Sequence, residues 1–232
     1  MWKIKVLTLF PEMFPGPLGH SVIGRALEEK IWELSTISIR DFATDKHQRV
    51  DDAPCGGGSG MLFKPDIIDS ALQSTACPGG KIIYMSPRGR PMTQAIAHEL
   101  ITLNNITLLC GRFEGIDQRA LDKWHVDEVS IGDFVLAGGE IAAMALIEAC
   151  VRLLPGTLGD PESIEHESFS QNLLEYPQYT KPIDWDGNLV PDVLLSGHHK
   201  NIASWRLMKA EEITAQRRPD LWQKYLVEKE KV

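Results

Sequence analysis

Between Lys3 and Leu154 the chain alternates short strand-like runs with helical ones, and this alternation most narrows what it can fold into. Strand-like runs stand at 3–10 (KIKVLTLF), 34–40 (LSTISIR), 81–86 (KIIYMS), 106–110 (ITLLC) and 126–131 (VDEVSI). Helical patterns fall between them, at 20–31, 65–75, 92–103 and 116–124. The most apolar helical pattern, EIAAMALIEACVRLL, closes the series at 140–154. Strands that alternate with helices predict an α/β domain with a mostly parallel sheet. No internal repeat is present.

After PGTLGD (155–160) the texture changes. Residues 161–192 are polar, punctuated by proline and rich in aromatics, with little periodicity. A stretch of this length without clear elements is uncommon inside a compact domain and is usually functional or a linker. Helices are expected again at 198–213 and 219–230, the second with Pro219 at a favourable first position. The organisation expected is an α/β domain over 1–159, a linker over 160–192 and a small helical domain over 193–232.

Composition excludes some classes. No run of about 18 apolar residues exists, so no membrane-spanning helix is expected. The opening MWKIKVLTLFPEMF is interrupted by Pro11 and Glu12 and reads as a buried strand, not a signal peptide. Cys55, Cys77, Cys110 and Cys150 are scattered without a C-x-x-C pair, which makes a reducing cytoplasm the default location. The formal net charge of −8 argues mildly against nucleic-acid binding. The charge is uneven, however: residues 190–232 carry a balance of +2, leaving −10 on 1–189. Local clusters such as Arg217-Arg218 leave room for a structured RNA.

Glycine marks the candidate site. APCGGGSGM (53–61) lacks the Gly-Lys-Ser/Thr ending of a phosphate loop and follows a polar segment, so it reads as a flexible loop or a mobile lid. No G-x-G-x-x-G follows the first strand, which removes the usual dinucleotide fingerprint. Three other stretches share a layout: YMSPRGRP (84–91), CGRFEGID (110–117) and SIGDFVLAGGE (130–140). Each puts glycine and polar residues at the end of a strand, where an open parallel sheet forms its ligand crevice. Singly, each could be a tight turn. Together they could surround a flat, adenosine-like ligand.

VDDAPCGGGSGML, YMSPRGR, LLCGRFEGIDQR, SIGDFVLAGGE and LLSGHHKNIASWR, in this order, resemble the bacterial tRNA (guanine-N1)-methyltransferases over essentially the whole chain. Those enzymes methylate the guanine immediately 3′ of the anticodon. The resemblance implies a SPOUT-type fold with a deep trefoil knot that binds S-adenosylmethionine in a bent shape. It also implies an obligate homodimer whose active site is built by both subunits. SIGDFVLAGGE then corresponds to the central knot loop, with Ile131, Gly132, Asp133, Phe134, Val135 and Leu136 around the methyl donor. Gly138 and Gly139 let the chain turn beneath it, and Tyr84, Ser86, Pro87 and Gly111 come from the neighbouring loops. A divalent ion, Mg2+, is a further implication of the family, but no ligand cluster in the sequence shows it.

The chemistry defines what else is needed. Guanine N1 carries a proton at neutral pH, so methyl transfer needs a general base and a cationic or hydrogen-bonding group at O6. The family pattern points to Arg152 and to an aspartate before Ser-Phe. Here IEHESFS puts Glu167 at that position, a departure that keeps the carboxylate and adds a methylene. Arg152 could instead be a cation favoured by a helix C-terminus. Glu114 resembles the residue that reads the guanine edge, the alternative being a salt bridge with Arg112 or Arg119. Asp51 and Asp52 flank the glycine loop and could help to close it over substrate. His198, Lys200, Arg206, Arg217 and Arg218 in the C-terminal region suit phosphate contacts with tRNA. Two other readings stay open: a SPOUT methyltransferase for another RNA, and a non-catalytic RNA-binding protein with this fold.

Overall fold

The structure is a computed structural model and describes residues 1–75, 77–159 and 167–230. It comprises two compact units, Met1–Gly159 and Asp160–Val232. In the first, a five-stranded parallel sheet is built from β1 (Trp2–Thr8), β2 (Trp32–Ser38), β5 (Lys81–Pro91), β6 (Asn105–Cys110) and β7 (Asp127–Ser130), in the order β2-β1-β6-β5-β7. Helices α1 (Ser21–Glu28), α2 (Pro65–Thr75), α3 (Gln94–Ile101), α4 (Gln118–Lys123) and α5 (Glu140–Val151) connect or follow the strands. A two-residue ladder, β3 (Asp51–Asp52) with β4 (Leu62–Phe63), ties the two ends of the glycine-rich loop together.

Burial on both faces explains the composition of the strands. Sheets covered by helices on both sides need near-continuous apolar strands, and Ile106, Leu108, Leu109 and Cys110 of the central β6 are almost wholly buried. The flanking helices meet the sheet through apolar stripes. In α2, Ile67, Ile68, Ala71 and Leu72 are buried beside Phe63, Leu109 and Leu121. On the edge strand β7 the half-buried acids are paired with arginines of β5: Asp127 with Arg90 at 2.7 Å and Glu128 with Arg88 at 3.2 Å. Such an edge resists pairing with another sheet.

One local difference from the sequence reading bears on the site. The sequence ends this strand at Ser86, with the residues after it leaving the sheet, yet β5 continues to Pro91. Met85 and Arg90 both oppose Val129, so the residues between them bulge and the strand then resumes. A bulge inserts residues without ending the ladder and re-aims the side chains that it carries. Here Gly89 permits it, because a Cβ there would collide with the Glu128–Val129 backbone.

The second unit contains α7 (His199–Arg217) and α8 (Pro219–Lys229), preceded by α6 (Asp192–Leu195) and a hairpin of β8 (Asp184–Trp185) and β9 (Asn188–Leu189). From Glu167 onward the segment read as a linker packs within this unit. Leu173 is buried, Leu174 N donates to Thr214 Oγ1 at 2.8 Å, and Asn172 Nδ2 donates to Glu228 Oε2 at 2.9 Å. Periodicity missed the hairpin because each strand is only two residues long. Its signal was the Asp186-Gly187 pair, whose φ angles of 54° and 76° suit a tight two-residue turn.

Candidate functional site

The carboxyl ends of β5, β6 and β7 line a cavity of about 470 Å³, within the range of small-molecule sites. Tyr84, Ser86 and Pro87 come from β5 and its bulge. Gly111 and Glu114 follow β6. Ile131, Gly132, Phe134, Val135, Leu136, Gly138 and Gly139 follow β7. Asp133 is exposed and is not among the lining residues. Phe113, Arg88 and Gln118, which the sequence does not mark, also line the cavity, as does Arg112, which the sequence offers only as a salt-bridge partner for Glu114. Their signal was adjacency: Arg112 and Phe113 sit between Gly111 and Glu114.

Close backbone approach shapes the floor. Gly139 N donates to Gly111 O at 3.0 Å, and a Cβ on Gly139 would lie 2.9 Å from Cys110 Cα. No real side chain tolerates that distance to backbone, so the loop after β7 can lie on the end of β6 only with glycine here. A Cβ on Gly111 would meet the Tyr84 ring at 2.7 Å, so that ring lies over the same turn. Burial, and secondarily the charge of Glu128, push the Tyr84 phenol above its ordinary pKa. Ser130 Oγ accepts from Gly132 N at 3.2 Å and donates to Gly132 O at 3.0 Å, fixing where the loop leaves β7.

Beneath the loop lies a buried carboxylate. Glu140, the first residue of α5, is 1% exposed; its Oε1 accepts from Thr8 Oγ1 at 2.7 Å and its Oε2 lies 2.9 Å from Arg112 Nη2. The Arg112 guanidinium sits over the Phe10 ring at 4.5 Å, and its Nη1 donates to Ala137 O at 3.4 Å. Sequence reasoning singled out neither partner for this pairing.

Arg112 therefore pairs with Glu140, and Arg119 pairs with Asp117 at 2.7 Å. Neither forms the salt bridge with Glu114 that the sequence left open. Glu114 instead anchors the glycine loop: its N donates to Met61 O at 2.9 Å, and its side chain lies against Gly60. Asp51 pairs with Phe63 in the short ladder, and exposed Asp52 caps Ala53 N at 2.8 Å.

Arg152 is the C-cap of α5, where a cation is favoured by the helix dipole, and does not line the cavity. Glu167 belongs to the second unit. It lines a cavity there of about 240 Å³ with Ser170, Leu174, Tyr176 and Arg206, and its carbonyl accepts from Ser170 Oγ at 2.8 Å. Glu165 and His166, which precede Glu167 in IEHESFS, lie outside the described residues.

In the same unit His198, Lys200 and Arg217 are exposed. Arg206 is exposed and lies over the Tyr176 ring at 4.9 Å. Arg218 is held by Asp220 at 2.6 Å, and it draws the Asp220 carboxyl down to about 2. A phosphate would compete with that carboxylate for Arg218.

Two of the four cysteines are buried, Cys110 and Cys150. Burial pushes Cys110 well above the ordinary thiol range and Cys150 up to about 12, so neither is an available thiolate. Among the described residues no group of three or more His, Cys, Asp or Glu could hold a metal ion, so the Mg2+ implied by resemblance has no such cluster there. No helix among them is long and apolar enough to cross a membrane.

Comparison with known proteins gives a consistent picture. The family model described as tRNA (Guanine-1)-methyltransferase TrmD matches residues 2–224. A tRNA (guanine-N(1)-)-methyltransferase of Rhodospirillum rubrum is 55% identical over 221 residues, 95% of this chain and 92% of its own length. The protein of that name from Ruegeria pomeroyi is 52% identical, covering 99% and 96%. One from Rhodopseudomonas palustris is 57% identical, covering 95% and 90%.

Proposed function

Because the chain belongs to the tRNA (guanine-1)-methyltransferase family, we propose that it transfers the methyl group of S-adenosylmethionine to N1 of the guanine 3′ of the anticodon in tRNA. The observation that carries the donor site is the 470 Å³ cavity at the strand ends, floored by the contact of Gly139 with Gly111. Its walls fit the donor in kind. Tyr84, Pro87, Ile131 and Leu136 offer apolar surface for a flat base, while the glycines bring backbone close to the ligand. When bound, the donor supplies an electrophilic methyl on a sulfonium.

The chain's own residues handle the proton and the developing charge. Glu167 accepts the N1 proton as N1 takes the methyl, and the sulfur keeps its electron pair as a thioether. Arg152 offsets the negative charge that grows on O6. Glu114, at the cavity rim beside the glycine loop, receives the polar edge of guanine. His198, Lys200, Arg206, Arg217 and Arg218 contact tRNA phosphates, and Asp51 with Asp52 assists closure of the 53–60 loop. Free cysteines and a tRNA substrate fit a cytoplasmic enzyme. Incubating the protein with labelled methyl donor and unmodified tRNA carrying that guanine should give N1-methylguanosine at this nucleotide alone. Label at a ribose hydroxyl or another base would overturn the assignment.

The active site is proposed to be shared between two copies. Phe134, Val135, Leu136 and Ile141 are exposed, Val135 at 83% and Ile141 at 54%, and α5 carries apolar residues on more than one face. Exposed apolar clusters of this kind mark association surfaces. Arg152→Ala and Glu167→Ala, each inactive alone, should regain activity when mixed, since one site of the mixed dimer receives both intact residues. No recovery despite measured subunit exchange would rule out a composite site.

A further inference from the structure

We infer that Glu140 is a positioning residue, which acts through Arg112 to hold residues 137–139 in the shape that receives the methyl donor. The inference rests on the donor reading of the cavity and assigns a task to the carboxylate that ends SIGDFVLAGGE.

Burying a carboxylate is costly unless its partners replace water. Glu140 is 1% exposed and meets Thr8 Oγ1 at 2.7 Å, Arg112 Nη2 at 2.9 Å and the amino end of its own helix. These partners lie far apart in sequence: β1, the exit of β6 and the start of α5. The pair is not optimised as a hydrogen-bonded unit, however. Arg112 Nε is buried without a hydrogen-bond partner, and the 2.9 Å contact of Glu140 Oε2 is a charge contact with poor hydrogen-bond alignment. Apolar side chains could fill such a place with equal or greater stability. Stability alone therefore does not explain the pair.

What the pair does is fix the loop. Arg112 lines the cavity, donates to Ala137 O at 3.4 Å and packs so closely on Gly138 that any Cβ there would collide with its guanidinium. The Phe10 ring supports it at 4.5 Å. Glu140 thus sets the place of the guanidinium, and the guanidinium sets the height of 137–138 one residue before the Gly139–Gly111 contact. Glutamine at 140 keeps the shape and loses the charge, which frees Arg112 to turn toward the cavity.

Titration calorimetry with S-adenosylhomocysteine tests this on the full-length protein, alongside melting curves. Glu140→Gln should weaken binding by at least about tenfold, within what a small misplacement of a site costs. The donor KM should rise by a similar factor, while kcat at saturating donor falls less. The double variant Arg112→Met with Glu140→Met should melt at or above the wild-type temperature and still bind at least about tenfold more weakly. Wild-type affinity in either variant overturns the inference. So does loss of the folded state in both, which would make the pair structural. If the wild-type protein itself binds no S-adenosylhomocysteine, the donor reading fails and the inference falls with it.

Discussion

Glu167→Gln is expected to bind methyl donor and tRNA as the wild type does and to transfer the methyl group about 10²–10⁴ times more slowly, the usual worth of acid–base catalysis. The substitution is nearly isosteric and removes only the ability to take a proton. Glu167 stands where the family pattern has aspartate, so Glu167→Asp should retain far more activity than the glutamine variant. The Ser170 Oγ bond to the Glu167 carbonyl and the neighbouring Phe169 N bond to Leu173 O at 2.8 Å involve backbone, so both survive the change. Single-turnover methylation at saturating tRNA separates the chemical step from product release. The wild-type rate should rise with pH until the base is fully ionised, and glutamine should flatten that limb. A glutamine variant within about threefold of wild type, roughly half a pKa unit in energy, would remove Glu167 as the base. Glu165, His166 or water would then have to take the proton.

Gly139→Val should abolish binding of S-adenosylhomocysteine and with it the ligand's stabilisation of the fold. Any ligand that binds only the native state raises the melting temperature, by about 2.7 kcal/mol in stability at a hundredfold excess over Kd. In wild type that shift is expected. In the variant the first carbon of valine falls 2.9 Å from Cys110 Cα and 3.1 Å from Gly111 N. Backbone cannot yield at that distance, so the loop must lift from β6 and the cavity floor changes shape. Thermal melts with and without ligand read this directly. An unchanged shift in the variant would take the loop out of the site. Gly159→Val serves as a control, because a Cβ there meets nothing within 4 Å.

Much of the first unit was legible because its signals are local. The apolar run KIIYMS and the helical stripe at 65–75 each declare their element within a dozen residues. Helix α2 spans Pro65–Thr75, the same residues. The continuation of β5 to Pro91 was not legible, since Pro87 and Gly89 read as a turn to any local rule. Only the neighbouring β7 backbone, available at Val129 and Ser130, draws the chain back into the ladder. The glycine-bearing strand ends marked in advance where a cavity lies, because glycine where backbone must approach closely is a chemical requirement visible in the chain itself.

The sequence by itself determined the α/β class, the alternation of the main strands and helices in the first unit and, through five motifs in order, the family. These rest on periodicity and on short words, which need no knowledge of what packs where. Tertiary structure alone decided the ion pairing. From sequence, Arg112 had Glu114 two residues away as its nearest candidate, yet it pairs with Glu140, and Glu140 is bonded to Thr8, 132 residues from it. The reason is burial. An exposed arginine would have little to choose between nearby carboxylates, but a carboxylate closed in at the start of α5 must have a partner. The parallel sheet brings the ends of β1 and β6 to that spot, and Arg112 is the cation that arrives with them.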